Sequence, residues 1–393
     1  MDRDLLSGRK GIFTAEEIYS QPRIWKDVIN NIYDNQNRIK IFINKFLAIN
    51  KKRIILTGTK SLDFACEVCA QQLSSVLGFT VESISATDIV LSPNDYLYED
   101  TSTLLISFSR SGNTQESVVA VDLAKLIVKD LYQLIITCND VGELVISTKS
   151  NEKNLVLLMP KESNDRGFIT TSSFTSMILS CLSVFFINDI EKFKNDTIKL
   201  CDLVSSFIKD NVDKISELSK IKYDRTVYLG SSASRFIAKD SAYKLLGLTK
   251  GVINTNYCSS LEFRYGYDVA INNKTLIIIY LSDNEYTRKY DLDLARDMIK
   301  NKAIDKLVIV TSSKYFEGLK VADYIFELGK IEYDLEYEIF LPIQQVVFGQ
   351  ILSYMTAFNL GIEPDDPFSN GSINGIVRNL IIHKFQENVF RLY

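Results

Sequence analysis

At 393 residues, with 46% hydrophobic and 24% charged side chains, the chain has room for about two domains and a well-buried core, and its composition is neither that of a disordered chain nor that of a membrane-embedded one. A net charge of -4 leaves no basic field for wrapping nucleic acid, so nucleic-acid binding is excluded as a default.

The first residues, MDRDLLSGRKGIF, carry acids and no apolar run of signal-peptide length, which points to a cytoplasmic protein. Residues 1–50 read as a helical arm: Thr14 and Glu17 are spaced as a capping box, and Pro22 suits a helix first turn followed by apolar spacing at Ile24, Val28 and Ile32. The arm is expected to pack, also between subunits. A strand at 53–57 leads into a helix holding Cys66-Glu-Val-Cys69. One histidine in the whole chain, His383, and no second C-x-x-C leave a tetrahedral metal site without ligands, so these are read as structural helix cysteines, and the six thiols as reduced.

The stretch 104–114, LLISFSRSGNT, is the most informative of the chain. An apolar strand runs into a turn with Ser107, Ser109, Ser111, Gly112 and Thr114, and an amphipathic helix follows from 115 to about 129. A helix start presents unpaired N–H groups and partial positive charge, so hydroxyls and amides here can hold a phosphate without a lysine. A loop with an N-cap is the plain alternative, but three serines in five positions exceed what one cap requires.

Further strands are expected at 133–137 and 155–159, a buried core helix at 177–190 that falls short of a ~20-residue membrane span, and a domain boundary in the polar stretch 188–224. In the second half, strands are expected at 226–229, 275–280, 306–311 and 324–328, a helix from about 333 to 358 ending at Gly361, and a tail, EPDDPFSNGS, leading to Ile381 and Ile382. Matching positions keep an almost constant offset: Gly58 and Gly230 differ by 230 − 58 = 172, Thr103 and Thr275 by 275 − 103 = 172, and Leu134 and Leu307 by 307 − 134 = 173. That spacing implies two successive α/β domains of one topology, each a parallel sheet covered on both faces. Only the first half has the serine-glycine turn; the second has YLSDNEYT with Asp283, so the phosphate is expected on the first half alone.

These residues are familiar. The turn FSRSGNT resembles the phosphosugar-binding motif of SIS (sugar isomerase) domains, and TAEEIYSQPRIW, NDRGFITTSSFTS, YTRKYDLDL and the tail resemble the AgaS branch, the tagatose-6-phosphate ketose/aldose isomerases also described as galactosamine-6-phosphate deaminase/isomerases. The resemblance covers nearly the whole chain. It implies two tandem flavodoxin-like SIS domains (51–195 and 215–360) between the arm and a C-terminal tail (361–393), a cytoplasmic homo-oligomer, dimer or tetramer, a small-molecule sugar phosphate as ligand, and no organic cofactor or metal. Phosphate contacts would fall on Ser109, Arg110, Ser111 and Thr114, and sugar contacts on Thr170, Thr171 and Ser172. At the turn after the first strand, Ser61 substitutes by a one-residue shift for the family's serine, or that contact is missing.

The catalytic pattern departs from the family. Isomerisation moves a proton between C1 and C2 of an open-chain sugar and needs a base. Related isomerases place a glutamate in a K-x-x-E helix and a histidine in an F-R-H-G-P turn; here these positions are Gly247, after Lys244-Leu-Leu, and Tyr265, after Phe263-Arg264. Substitute bases would come from Glu262, His383, Asp240 or a neighbouring subunit. Asp240 and Lys244, four apart, either form an ion pair or line the pocket. Arg378 occupies a tail position that holds a lysine or an uncharged residue in relatives. Two functions follow from these features: a sugar-phosphate isomerase/deaminase, or a phosphosugar-binding protein that has lost the chemistry and serves as a sensor or assembly subunit.

Overall fold

The computed structural model describes residues 10–148, 152–300, 306–316, 320, 322–335, 339–369 and 381–385. Two helices, α1 (Ile12–Asp34) and α2 (Gln36–Leu47), precede the first half, which runs β1 (Lys52–Thr57), α3 (Ser61–Leu77), β2 (Glu82–Ser83), α4 (Ala86–Leu91), α5 (Pro93–Tyr96), β3 (Ser102–Phe108), α6 (Gln115–Ile127), β4 (Leu131–Thr137), α7 (Glu143–Ile146), β5 (Asn154–Leu158) and α8 (Ser172–Phe185). After α9 (Ile190–Leu218) the second half repeats the scheme: β6 (Arg225–Gly230), α10 (Ser234–Leu248), β7 (Asn254–Cys258), β8 (Thr275–Tyr280), α11 (Glu285–Lys300), β9 (Lys306–Thr311), β10 (Tyr324–Glu327) and α12 (Leu341–Asn359).

Both sheets are parallel, and their orders, β2-β1-β3-β4-β5 and β7-β6-β8-β9-β10, are the same topology. The registers repeat too: Arg53 pairs with Thr103, and Arg225 with Thr275, each 172 residues further on (225 − 53 and 275 − 103). The eight strands expected from the sequence are present. The two short edge strands, β2 and β7, lack apolar runs and escaped that reading; β7 is Asn-Thr-Asn-Tyr-Cys and mostly exposed. In this order the chain reverses direction between β1 and β3, and again between β6 and β8, opening a crevice at the carboxyl ends of those strands.

One apolar core extends through both halves, from Ile54 and Ile106 to Tyr228 and Phe348. Helix α8 is almost wholly buried in it, which explains its unbroken apolar character. Helix α9, read from sequence as a polar boundary, is a 29-residue amphipathic helix whose buried side chains Phe193, Leu200, Val204 and Phe207 face α1 and α12. Among the described residues no single helix is long and apolar enough to cross a membrane.

The arm corrects two expectations. Pro22 lies inside the single helix α1, not at a helix start. Its missing N–H would have served the Ile18 carbonyl, and Gln21 Nε2 donates to that carbonyl instead at 3.1 Å, so the helix continues through the proline. Gln21 also links α1 to α8 and α12, accepting from Thr175 Oγ1 and donating to Gln350 Oε1. Thr14 and Glu17 form no capping box: Asp365, in the tail, caps α1 by accepting from the Phe13 and Thr14 amides and the Thr14 hydroxyl, while Glu17 accepts from the Arg166 and Gly167 amides. The helix expected from 333 starts only at Leu341, with Pro342 in its first turn.

Candidate functional site

The turn between β3 and α6 is tied to the neighbouring loop through three of its carbonyls. Arg110 O accepts from the Cys138 amide, Ser111 O from Asn139 Nδ2 at 2.7 Å, and Gly112 O from the Leu144 amide, all on the β4–α7 side. Asn113 Oδ1 adds a bond from the Glu143 amide. Gly112, at φ +65°, packs against Gly142: a Cβ on Gly142 would stand 2.9 Å from the Gly112 Cα, so both positions require glycine. Within the turn the Gly112 amide donates to the Ser109 carbonyl and the Asn113 amide to Ser111 Oγ. Thr114 stands at the N-cap of α6 and makes no capping bond, so the first-turn amides there have no side-chain acceptor.

Around this crevice lie buried hydroxyls without hydrogen-bond partners. Thr57 and Ser107 are register partners at the ends of β1 and β3, and both Oγ atoms are unpaired, as are those of Ser109, Ser117 and Thr170. Each unsatisfied buried hydroxyl costs about 1–3 kcal/mol, so those of Ser107, Ser109 and Ser117, at the end of β3 and the start of α6, suit a polar ligand there. Of the four residues expected to hold phosphate, Ser109 is buried and unpaired, Thr114 half-buried, and Ser111 exposed with its Oγ accepting from the Asn113 amide. Arg110 is half-buried and donates to the Asp165 carbonyl at 2.8 Å.

The other predicted residues are placed differently. Ser61 opens α3 after Lys60, a non-glycine residue at φ +55°, and is buried near Asp240, whose carboxyl is raised by burial and lowered slightly by the Ser61 hydroxyl. Thr171 and Ser172 are also committed. The Asp165 carboxylate accepts from the amides of Thr171, Ser172 and Ser173 at 2.8–3.0 Å and from all three hydroxyls, so an internal anion already fills the start of α8. Only Thr170 of the predicted trio keeps a free hydroxyl. Asp165 was missed; three hydroxyl residues at one helix start were the available signal.

Asp240 and Lys244 form a fully buried ion pair on α10, with the Lys244 ammonium 4.4 Å from the Phe174 ring. Burial raises the Asp240 carboxyl, with Lys244 opposing, and lowers the Lys244 ammonium, with Asp240 opposing. Gly247, one helical turn from Lys244, faces Phe168, 3.6 Å from where a Cβ would lie. Glu262 is exposed in a short turn beside the Cys258 thiol; Arg264 pairs with Asp297 at 2.6 Å, not with Glu262. Tyr265 is 81% exposed. His383 is exposed in a groove with Leu91, Leu126 and Lys129 at the carboxyl end of α6, about 20 Å along that helix from Thr114, which removes it from the turn. Arg378 lies outside the described residues.

The corresponding crevice of the second half is closed from within. Asp291 of α11 accepts from the Ser231 hydroxyl at 2.7 Å and the Ser282 amide at 3.2 Å, and Asp283 accepts from Ser312. The donors of this turn are thus paired by carboxylates of the chain itself.

The comparisons agree with this geometry. The SIS domain family matches residues 47–187. D-galactosamine-6-phosphate deaminase AgaS of Escherichia coli O157:H7 is 34% identical over 378 residues, 96% of this chain and 97% of its own length. The crystal structure of tagatose-6-phosphate ketose/aldose isomerase from Escherichia coli aligns with a TM-score of 0.87 at 32% identity, covering 96% of this chain and 97% of that one. A Clostridium novyi crystal structure aligns with a TM-score of 0.93 at 36% identity over 98% of both chains. Twin parallel sheets of one topology and similarity along almost the entire sequence establish that the chain belongs to the AgaS family of SIS-domain proteins.

Proposed function

We propose that this protein is a sugar-phosphate isomerase/deaminase acting on a hexose or hexosamine 6-phosphate such as tagatose or galactosamine 6-phosphate. The observation that carries the reading is the set of unpaired buried hydroxyls at the uncapped start of α6, with Ser109, Ser111, Thr114 and Arg110 as phosphate-binding residues. Thr170 contributes a sugar contact. The proton-transfer groups are drawn from Asp240 and Lys244, because burial moves both carboxyl and ammonium toward their neutral forms. Deamination of an amino sugar would move the C2 proton to C1, and water would then release ammonia and leave the ketose.

A second reading rests on Gly247 and the exposed Tyr265: a phosphosugar-binding protein without turnover. Exchange in heavy water of the C2 proton of galactosamine 6-phosphate, or of a C1 proton of tagatose 6-phosphate, measured beside calorimetric binding, separates the two. Exchange with binding supports the enzyme; binding alone supports the sensor. Combining Ser111→Ala with Thr114→Val should abolish binding, and unchanged affinity would refute both. Half-exposed Tyr243, Leu246 and Tyr257 on α10 and the edge strand β7 support a homo-oligomer, which sedimentation would check.

A further inference from the structure

Glu17 is a buried carboxyl on the arm helix that no part of the proposed chemistry uses. Its Oε1 accepts from the amides of Arg166 and Gly167, and its Oε2 faces the Thr171 hydroxyl at 3.4 Å. The same loop carries Asp165, whose carbonyl receives Arg110, whose carboxylate gathers the start of α8, and whose neighbours along the chain include the unpaired Thr170. The fit is close: a Cβ on Gly167 would stand 2.4 Å from the Thr14 hydroxyl. One side chain of the arm therefore holds the loop that orients Arg110 toward the turn.

We propose that Glu17 is a positioning residue for ligand binding: it pins the 165–167 backbone, and through the Asp165 carbonyl it sets Arg110 beside the Ser109–Thr114 turn. The inference rests on the phosphate-binding reading of that turn. The charged groups facing Glu17 are Asp165 from the loop and Asp365 from the tail, both anionic, while Lys244 on α10 faces Asp165; Arg166 turns its guanidinium outward toward Glu16. Burial and Asp165 push the Glu17 carboxyl up to about 8. A second negative charge there sets Glu17 against Asp165 and loosens the loop, so ionisation at alkaline pH weakens the hold on Arg110.

The test titrates the full chain calorimetrically with tagatose 6-phosphate, which has no amine to ionise, between pH 6 and 9. Glu17→Ala should weaken affinity at pH 7 by about tenfold, as expected for lost hydrogen bonds that orient a charged group, and Glu17→Gln, which keeps the amide acceptor, should restore most of it. Wild-type affinity should fall between pH 7 and 9 while that of Glu17→Gln stays level. Should Glu17→Ala fail to fold, the pH profiles of wild type and Glu17→Gln decide. Equal affinities, or the same alkaline fall in Glu17→Gln, would overturn the positioning role. No binding by the wild-type chain would instead remove the phosphate reading and this inference with it.

Discussion

The Ser231 hydroxyl donates to Asp291 at 2.7 Å, across the crevice that in the first half lies between Thr57 and Ser107. The two halves share one topology, and in the second half a carboxylate of the chain already pairs the donors at the ends of β6 and β8. The Ser231 hydroxyl and the Ser282 amide donate to different oxygens of Asp291, so Asp291→Asn would set an amide NH₂ against one of these two donors, and should cost about 1–3 kcal/mol of stability without changing sugar-phosphate affinity. Denaturant titration and calorimetry check the two halves of that expectation.

Ser109 offers the opposite signature. Its buried hydroxyl has no partner in the protein, so Ser109→Ala should leave stability unchanged or raise it by up to about 1 kcal/mol, while phosphate affinity falls. A structural serine would lose stability instead, and thermal melts with and without ligand distinguish these outcomes.

Stability should fall as pH rises through the neutral range. Burial first, then Asp165, raises Glu17 from 4.5 to about 8, and burial with Glu67 raises Asp63 from 3.8 to about 7, against the pull of Lys239. Both groups keep their protons in the folded chain after the unfolded chain has lost them, so their contribution is complete below about pH 4 and disappears by about pH 8. Melting temperatures from pH 5 to 9 should show the decline, and Glu17→Gln should shallow it.

Lys244→Met strands the Asp240 charge in the core and should cost about 3–5 kcal/mol, whereas pairing it with Asp240→Leu should recover much of the loss. If the pair moves the proton, C2 exchange disappears in both variants regardless of how stable they are. Exchange surviving in the double variant would exclude Asp240 and Lys244 as catalysts.

The sequence alone determined the repeating frame of this protein. Apolar strand runs, the 172-residue offset and the SFSRSGNT turn are local or periodic features, and the resemblance to the AgaS branch drew on further contiguous stretches such as TAEEIYSQPRIW and NDRGFITTSSFTS. What the tertiary structure decided depends on partners far apart in the chain. Gln21 satisfying the Ile18 carbonyl and Gln350 together makes Pro22 acceptable within a helix. Asp165 and Asp291 each occupy donors that the sequence assigns to a ligand or leaves open, and Asp365 caps a helix 351 residues before it. Asp240 and Lys244 became an ion pair because both halves bury α10, and His383 moved to the far end of α6 because the tail settles there. Local spacing sets which elements form; which donor meets which carboxylate is fixed only when the elements pack, because the cost of leaving either one unpaired arises only once water has been excluded.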